Sequence, residues 1–507
     1  MVSTVYGAGL TGIEGYKVTV ECFVNSGIWH LGVIGLPDAS VNEALERINA
    51  VIVNCTLPVK RAATTINLAP ADVKKTGAVY DLPMLLSLLK YTLLAETDLS
   101  DKCFVGELSL TGELRECRGA LSMALAARDA GLKEIYFPAG NAAEAAMVEG
   151  ITVYGVRDVV ELCRHLRGTE PVSPAVFDRA SVGENSHLLT DFADIKGQQT
   201  VKRAAEIAAA GGHNMLLIGP PGSGKSMISK ALPGILPEMT FSEMLETTRI
   251  HSICGMLGGG NIVDTRPFRA PHHTMGFAGL AGGGAVPMPG EISLCHNGVL
   301  FLDELPEFDK KALEVLRQPL EDKCITITRV GGKITFPASF MLVCAMNPCP
   351  CGYFGSSQKK CTCSQQAVRK YLSRISGPLL DRIDIQIEVP AVDFEQLNDT
   401  SPAESSAEVR KRVNAARKIA VERYKELGIG SNGALNGTLT RRFCVPDQAA
   451  AGTLETAFRT LGLSARGYDR ILRLSRTIAD LEGDQMIGED HVMEAIQLRS
   501  LDRKYFE

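Results

Sequence analysis

Long apolar runs are missing from this sequence, since no stretch approaches the roughly 18 residues that a membrane-spanning helix requires. The first residues, 1–6, also lack the basic and apolar regions of a signal peptide. Positive charge is not in excess, because 53 lysines and arginines face 58 acidic residues and the net charge is −5. We therefore expect a cytoplasmic protein without a membrane partner, in which any contact with nucleic acid comes from local basic loops.

Aromatic residues are also scarce, at 6% of the chain, whereas apolar residues reach 45% and charged residues 22%. This balance is typical of a globular protein. A length of 507 residues is too large for one hydrophobic core, and a size of about 150 residues per domain suggests about three domains. All but four of the 14 cysteines are scattered singly, which is typical of buried, reduced thiols.

Composition divides the chain into four parts. Residues 1–168 mix β-branched and helical stretches, as in an α/β or α+β domain. Residues 169–190 form a polar linker that contains prolines. Residues 191–390 alternate strands and helices in the pattern of a doubly wound sheet, and residues 391–507 are mostly helical. In this last part we predict helices over 407–427, 446–461, 465–481 and 488–501.

A glycine-rich loop directly follows the short apolar strand predicted at 215–218 and precedes a helical pattern. It fits G-x-x-x-x-G-K-[ST], in which glycines let backbone N–H groups approach phosphate oxygens and the helix start adds the positive end of its dipole. We expect Lys225 to contact the β and γ phosphates of ATP and Ser226 to bind Mg²⁺. The loop consists of Gly219, Pro220, Pro221, Gly222, Ser223, Gly224, Lys225 and Ser226.

Two further apolar strands are followed by polar residues. The strand at 298–302 leads into Asp303 and Glu304, and the strand at 340–346 leads into Asn347. The carboxyl ends of parallel strands meet at the edge of a sheet where ligands bind. We therefore expect Asp303 to hold Mg²⁺, Glu304 to polarise the attacking water, and Asn347 to orient that water. Without the other two motifs, an ordinary strand-end cap would be the favoured interpretation of Asn347.

The order of these three strands resembles that of the AAA+ ATPases. The segments at 266–274, 282–294 and 303–308 resemble the magnesium-chelatase-like family typified by YifB and ComM, and the resemblance spans essentially the whole chain. It implies an α/β multidomain protein that uses ATP and Mg²⁺. The implied parts are a Lon-protease-like (ribosomal S5 domain 2-like) α+β N-terminal domain, an AAA+ P-loop core with αβα layers, and a C-terminal helical lid like that of magnesium chelatase.

The resemblance also implies a ring, usually a hexamer, with ATP bound between subunits. Arg382 is similar to the arginine finger that stabilises charge on a neighbour's γ phosphate, with Arg374 as the alternative. A plainer interpretation of Arg382 is an ion pair with Asp381 or Asp384 on a surface helix.

Two further positions resemble nucleotide contacts of the family. Arg466 opens a lid helix and resembles the second sensor, acting on phosphate either in cis or in trans. Ile195 and Gly197 resemble the turn that contacts adenine.

A hairpin with a tight turn is predicted over 325–336, where residues alternate on both sides of a Gly-Gly pair. Related motors place a pore hairpin at this point. Arg329 and Lys333 flank its tip, where copies from a ring of subunits would surround single-stranded or branched DNA with positive charge. The alternative is a solvated hairpin whose charges prevent aggregation. A second, glycine-rich insert at 255–290 adds the candidate DNA contacts Arg266, Arg269, His272 and His273.

Four cysteines cluster inside the ATPase part, in an insert at 349–363. Cys349 and Cys351 are separated by nine residues from Cys361 and Cys363. Four thiolates can complete a tetrahedral Zn²⁺ site. The C-x-C spacing differs from the usual C-x-x-C, which leaves reduced thiols or a redox pair as the alternative.

The first domain resembles the Lon-type protease fold at 67–72 and 106–114. A protease of that kind needs a serine nucleophile and a lysine base. In this sequence Val79 and Leu121 occupy the corresponding positions. We therefore expect a non-catalytic domain that assists ring assembly or DNA binding.

Three functions compete at this point. The family resemblance and the basic hairpin favour an ATP-driven, ring-forming DNA motor, a branch-migration helicase acting in recombination during natural transformation. A chelatase subunit that drives metal insertion into a tetrapyrrole is disfavoured by the Lon-like domain and the cysteine cluster. An ATP-dependent protease is disfavoured by the missing serine and lysine.

Overall fold

The structure is a computed structural model in which the chain divides into two units. The first consists of residues 1–184 with 241–264, and the second of residues 185–240 with 265–507. Within the described residues, no helix combines the length and hydropathy that crossing a bilayer requires. The structure describes residues 2–177, 190–257, 262–284, 287–329, 332–355, 359–392, 403–499, 501 and 505.

A seven-stranded mixed sheet lies at the centre of the first unit. The strands of this unit are β1 (Val2–Thr11), β2 (Glu14–Asn25), β3 (His30–Ile34), β4 (Ala63–Ala69), β5 (Lys102–Phe104), β6 (Glu107–Leu108), β7 (Leu114–Arg115), β8 (Glu134–Pro138) and β9 (Thr152–Val156). The sheet order is β3-β4-β2-β1-β5-β8-β9, and β6 pairs with β7 as a separate ribbon. Strand β2 is antiparallel to β1 and β4, whereas β5, β8 and β9 continue parallel to β1.

The first part of this unit carries helices α1 (Ala39–Asn54), α2 (Asp81–Leu89), α3 (Ala120–Asp129), α4 (Ala142–Ala145) and α5 (Val159–Leu166). Helix α1 shows why they form: the Asp38 side chain accepts a hydrogen bond from the backbone N–H of Val41 at 2.9 Å and caps the helix. Its buried residues, Val41, Ala44, Ile48, Val51 and Ile52, follow the spacing of one helical face. The unit is an α+β arrangement, and its likeness to the Lon-type fold stays a prediction.

The second unit contains a five-stranded parallel sheet with the order β11-β14-β17-β10-β18. Strands β10, β14 and β17 are entirely buried and apolar, as predicted for strands covered on both faces. The three strands that the sequence predicted to carry the nucleotide site are thus neighbours. The bounds are β10 (Met215–Ile218), β11 (Phe268–Arg269), β12 (Gly282–Gly283), β13 (Met288–Pro289), β14 (Val299–Leu302), β15 (Cys324–Arg329), β16 (Gly332–Pro337), β17 (Met341–Met346) and β18 (Ile385–Glu388).

Helices of the second unit surround this sheet and continue into the C-terminal region. The predicted C-terminal helices are confirmed within a few residues at their ends. Helix α8 (Phe241–Ile253) belongs to the first unit. The helices of the second unit are, in chain order, α6 (Gln199–Gly211), α7 (Lys225–Ile235), α9 (Phe277–Ala281), α10 (Glu291–Leu294), α11 (Lys310–Glu314), α12 (Arg317–Asp322), α13 (Gln365–Leu372), α14 (Gly377–Leu380), α15 (Ser406–Arg423), α16 (Gly437–Phe443), α17 (Gln448–Leu461), α18 (Ala465–Glu482) and α19 (Glu489–Gln497).

Helix α8 belongs to the first unit although it follows the P-loop helix in the chain, an arrangement that the boundaries drawn from the sequence do not include. Arg249 donates to the Ser122 hydroxyl and to the backbone oxygen of Ile13, both at 3.2 Å. The Ser252 hydroxyl accepts the backbone N–H of Gly119 at 2.9 Å. These contacts attach residues 241–264 to the start of helix α3.

Candidate active site

The P-loop connects the buried strand β10 to helix α7. Gly222 and Gly224 have φ angles of 78° and 89°, a region that disfavours other residues. A Cβ on Gly219 would lie 2.3 Å from the backbone oxygen of Val389, so the close approach of two backbones requires glycine there as well. Among the residues that the structure describes, no side chain caps the start of α7. Its first N–H groups therefore suit phosphate oxygens.

Lys225 lies at the base of this loop and is buried. Its Nζ donates to the backbone oxygens of Gly219 and Pro220, both at 2.8 Å, and to Asn347 Oδ1 at 3.3 Å. Burial lowers the pKa of Lys225, and the carboxylates of Asp303 and Glu304 oppose that shift. The ammonium group is thus held by neutral acceptors at the place where the motif puts nucleotide phosphates.

The Mg²⁺ ligands predicted from the sequence also meet. Ser226 Oγ donates to Asp303 Oδ2 at 2.7 Å, and the backbone N–H of Glu304 donates to Asp303 Oδ1 at 2.9 Å. Hydroxyl and carboxylate oxygens are the ligands that Mg²⁺ prefers. The residues present therefore fit a magnesium ion bound with a nucleotide.

A cavity of about 380 Å³ is lined by most of the phosphate loop together with Asp303, Glu304 and Asn347. Its volume is within the usual range for a small-molecule site of roughly 300–1,000 Å³. The strand ends place an acid pair and an amide beside the phosphate loop, which is the arrangement that phosphoryl transfer to water needs. The lining consists of Pro221, Gly222, Ser223, Gly224, Lys225, Ser226, Met227, Asp303, Glu304, Met346 and Asn347.

Glu304 has an unusual backbone, with φ at 53° in the left-handed region. Its side chain is half-exposed, and His273 Nδ1 lies 3.2 Å from Glu304 Oε2. The sequence suggested His273 only as a DNA contact, and nothing in the local pattern links it to Glu304. The structure assigns it a contact with the predicted water-polarising residue.

The turn predicted to contact adenine adjoins the P-loop. Ile195 is buried, and Gly197 has a φ of 62°. The next residue, Gln198, donates from Nε2 to the backbone oxygen of Pro390 at 2.6 Å and to that of Ser223 at 3.4 Å. Gln198 therefore connects this turn to the phosphate loop, a role that sequence reasoning missed.

Arg266 and Arg269, two of the candidate DNA contacts, have partners within the chain. Arg266 donates to the backbone oxygens of Pro237 and Asn297 at 2.5 and 2.7 Å. Arg269 forms a two-pronged ion pair with Glu291 at 2.6 and 2.7 Å. His272 Nδ1 lies 2.9 Å from the Thr274 hydroxyl. These contacts favour a structural role for the two arginines, and DNA binding by this segment stays a prediction.

Arg382 and Arg466 line a second cavity, of about 310 Å³, whose lining shares no residue with that of the nucleotide cavity. The plainer interpretation of Arg382 named the wrong acids, because its carboxylate partner is Glu321. Asp381 instead lies 3.7 Å from Arg466. Arg382 and Arg466, both predicted to contact phosphate, therefore line the same cavity, and the residues that line it include none from the P-loop.

Asp384 organises the floor of this second cavity. It lies 3.6 Å from Arg470 and 3.7 Å from Arg473, and its Oδ2 accepts the backbone N–H of Asn214 at 3.2 Å. Burial alone would raise its pKa, but the hydrogen bond from His213 and the charges of Arg473 and Arg470 hold the pKa well below its usual range. An ionised Asp384 thus fixes basic side chains around the cavity.

Comparisons with known proteins agree with this arrangement. Models of magnesium chelatase subunit ChlI match residues 191–397 and 20–141, and a model of the C-terminal part of that subunit matches residues 403–499. The competence protein ComM of Haemophilus influenzae is 41% identical over 99% of this chain and 98% of its own length.

This chain belongs to the magnesium-chelatase-like AAA+ family that includes ComM and YifB. The YifB protein of Salmonella typhimurium is 41% identical over 97% of the chain and 96% of its own length. The 67 kDa subunit of magnesium chelatase from Chlorobaculum parvum is 31% identical, but over only 31% of this chain and 23% of its own. Family membership implies ATPase activity with ATP and Mg²⁺.

The hairpin predicted in this family member is confirmed. Strands β15 and β16 pair antiparallel, with Thr328 opposite Lys333 and Arg329 opposite Gly332. The Lys333 side chain is exposed. Residues 330 and 331 at the predicted tip lie outside the described residues. The structure thus places Lys333 on a two-stranded ribbon with its side chain exposed, and DNA binding by this ribbon stays a prediction.

The four clustered cysteines converge two residues beyond Asn347. All four sulfur atoms lie within 4.8 Å of one another. Cys349 Sγ is 3.4 Å from Cys351 Sγ and 3.7 Å from Cys361 Sγ, and the latter two are 3.6 Å apart. The backbone N–H groups of Phe354 and Cys363 point to Cys349 Sγ and Cys361 Sγ at 3.3 and 3.4 Å.

Proposed function

We propose that this protein is an ATP-driven DNA motor whose active sites form between subunits of a ring, most simply a hexamer. The observation that carries this proposal is the division of the predicted catalytic residues between two cavities. One cavity has Lys225, Ser226, Asp303, Glu304 and Asn347. The other has Arg382 and Arg466. If hydrolysis uses the residues of both cavities, the second cavity must come from another copy of the chain. Arg382 and Arg466 then act in trans, on the nucleotide of the neighbouring subunit.

The predicted site residues of the two cavities have different roles in ATP hydrolysis. When bound, ATP with Mg²⁺ supplies the phosphoanhydride bond and part of the charge neutralisation. Lys225 and the start of α7 would hold phosphate oxygens, and Ser226 with Asp303 would hold the metal. Glu304 polarises the attacking water and takes its proton, while Asn347 orients that water. Arg382 and Arg466 of the neighbour neutralise charge that develops during the reaction.

DNA is the proposed polymer because the ribbon of β15 and β16 presents Lys333 to solvent, and because a relative of nearly equal length is named for competence. Repeated around a ring, Lys333 and Arg329 would surround phosphates with positive charge. Motion of that ribbon on ATP turnover would drive branch migration during recombination in natural transformation. In this proposal the first unit assists assembly or DNA binding without catalysis.

The test of this function is the ATPase rate with and without ligands. Single-stranded or forked DNA should raise the rate, whereas a porphyrin and casein should not. Lys333→Glu should weaken DNA stimulation by about tenfold or more, because each subunit of the ring loses a phosphate contact. Lys418→Glu reverses an exposed charge on helix α15 and is the control. Stimulation by porphyrin alone would support a chelatase subunit, and stimulation by casein with peptide release a protease.

We further propose that Cys349, Cys351, Cys361 and Cys363 bind a structural Zn²⁺. Four thiolates at a Zn–S distance of about 2.3 Å lie about 3.8 Å apart in a tetrahedron. The sulfur separations of 3.4 to 3.7 Å are close to that value, whereas a disulfide requires about 2.0 Å. N–H groups directed at two of the sulfurs are the outer contacts that thiolate ligands use.

This cysteine cluster supports the nucleotide site. Gly352 packs so closely on the P-loop that an added Cβ would lie 2.5 Å from Cδ of Pro221. Cys349 follows Asn347 with one residue between them. A metal that holds the cluster together would therefore also hold the phosphate loop and the water-orienting amide in place.

Metal analysis tests the cluster directly. We expect about one zinc per chain by elemental analysis, since the four cysteines form one site. Cys351→Ser should lose the zinc and lower the ATPase rate, whereas Cys55→Ser should change neither. Cys55 is a suitable control because its thiol lies outside the cluster and donates to the backbone oxygen of Thr111, a bond that serine can also make. Full activity in a zinc-free protein would end the proposal.

A further inference from the structure

Glu321 holds the arginine that the proposed function makes the finger. The Arg382 guanidinium forms an ion pair with Glu321 and also donates from Nη1 to the backbone oxygen of Pro378 at 2.5 Å. The Arg382 side chain is only 11% exposed, whereas Glu321 is 56% exposed. The buried Nε of Arg382 has no hydrogen-bond partner within the described residues. The guanidinium is therefore held inside its cavity, with its charge matched by one carboxylate.

Glu321 also adds negative charge to the wall of that cavity. The proposed partner of Arg382 is a phosphate chain, which carries the same sign of charge. Like charges at short range repel, and a guanidinium already paired with a carboxylate is less available to a second anion. The pairing seen here thus opposes the contact that hydrolysis would need.

The position of Glu321 ties it to the DNA-binding ribbon. Helix α12 ends at Asp322, and β15 begins two residues later at Cys324. The intervening Lys323 has a φ of 56°, and its backbone oxygen accepts the N–H of Ala338 at 2.8 Å, just beyond β16. The Gln318 side chain of α12 accepts the N–H of Thr326 at 3.4 Å. The base of the ribbon is therefore attached to Gln318 in the helix that carries Glu321 and to Lys323, the residue that caps the end of this helix.

We propose that Glu321 is a positioning residue that keeps Arg382 away from the neighbour's ATP until DNA displaces the ribbon. Movement of the ribbon turns the end of α12, separates Glu321 from Arg382, and frees the guanidinium for the phosphate. This inference rests on the proposed function. It adds the route by which polymer binding at the ribbon accelerates hydrolysis at the subunit boundary.

The expected effect follows from the strength of such a pair. A partly exposed ion pair shifts an equilibrium by about fivefold at most. Removing the charge of Glu321 should therefore raise the DNA-free ATPase rate by up to about fivefold. Because the pair acts only when DNA is absent, the rate at saturating DNA should stay the same. The stimulation ratio, which is the rate at saturating DNA divided by the DNA-free rate, should then fall by the same factor.

The experiment compares Glu321→Gln with Glu314→Gln in the full-length protein, each with and without forked DNA. Glu314 ends the preceding helix α11, pairs with Arg317 at 2.8 Å and lines neither cavity. If Glu321 restrains Arg382 as proposed, the DNA-free ATPase rate should rise in Glu321→Gln and not in Glu314→Gln. A merely structural role for Glu321 predicts that both rates fall together. An unchanged DNA-free ATPase rate in Glu321→Gln would contradict the proposed role of Glu321.

A double variant shows whether Glu321 acts through Arg382. Glu321→Gln combined with Arg382→Ala should be as slow as Arg382→Ala alone, because no finger remains to be released. A fast double variant would place the effect elsewhere and contradict the proposal. Failure of the proposed function is separate: DNA would then not stimulate the wild-type protein. The DNA-free ATPase rate of Glu321→Gln would still test whether Glu321 restrains Arg382.

Discussion

Glu304→Gln should bind ATP as tightly as the wild-type protein and hydrolyse it about 10²–10⁴ times more slowly. The amide keeps the size of the side chain but cannot take a proton from water. Binding should persist because Lys225 is held by the backbone oxygens of Gly219 and Pro220, and because Ser226 donates to Asp303. The measurement is steady-state phosphate release beside equilibrium titration with a fluorescent ATP analogue.

Two further variants test whether the effect of Glu304→Gln is specific to hydrolysis. Lys225→Ala should lose nucleotide binding itself, since its Nζ is the buried cation at the base of the loop. Glu307→Gln is the matched control, because Glu307 follows Glu304 closely but pairs with Arg374 at 2.8 Å and does not line the cavity. If Glu304→Gln turned over ATP at the wild-type rate, another group would have to activate the water.

Arg382→Ala should lower the ATPase rate of the assembled protein by about 10³–10⁵-fold and leave ATP binding unchanged. Arg382 lines a cavity that contains none of the phosphate-loop residues, so its loss should not disturb the site in its own subunit. Arg317→Ala is a suitable control, because it removes an arginine that forms an ion pair at the start of helix α12, in the same unit, and lines neither cavity. Phosphate release and nucleotide titration separate the two effects.

A mixture of subunits distinguishes action in trans from action in cis. Lys225→Ala subunits keep Arg382, and Arg382→Ala subunits keep an intact phosphate loop. Mixed rings should therefore regain part of the wild-type rate at boundaries where the two complement each other. Two inactive proteins that remain inactive when mixed, although they assemble together, would contradict a finger contributed by the neighbour.

Much of the nucleotide site was predictable because its signals are local. The P-loop needs glycine where φ is positive, as at Gly222 and Gly224, and it stands between an apolar strand and a helix. Asp303 and Asn347 were predicted because each directly follows a continuous apolar strand. In a parallel sheet such strand ends must meet at one edge, so sequence order alone was enough to bring them together.

Contacts between distant segments were not predictable in this way. Glu321 and Arg382 are 61 residues apart, and neither the helix pattern of α12 nor that of α14 indicates that they meet. His273 was assigned to the glycine-rich insert, yet its ring reaches Glu304. Helix α8 was placed with the ATPase part because it follows α7 in the chain, although its packing partner is α3 of the first unit.

The sequence by itself determined the family, the phosphate loop, the acidic and amide strand ends, the hairpin and the grouping of four cysteines. Each of these depends on backbone conformation and residue spacing within a short segment. Only the tertiary structure decided that the arginines face a separate cavity from the P-loop, that Glu321 pairs with Arg382, and that the four sulfurs converge. Those facts depend on how separate segments pack, and periodicity within one segment carries no information about the partner against which it packs.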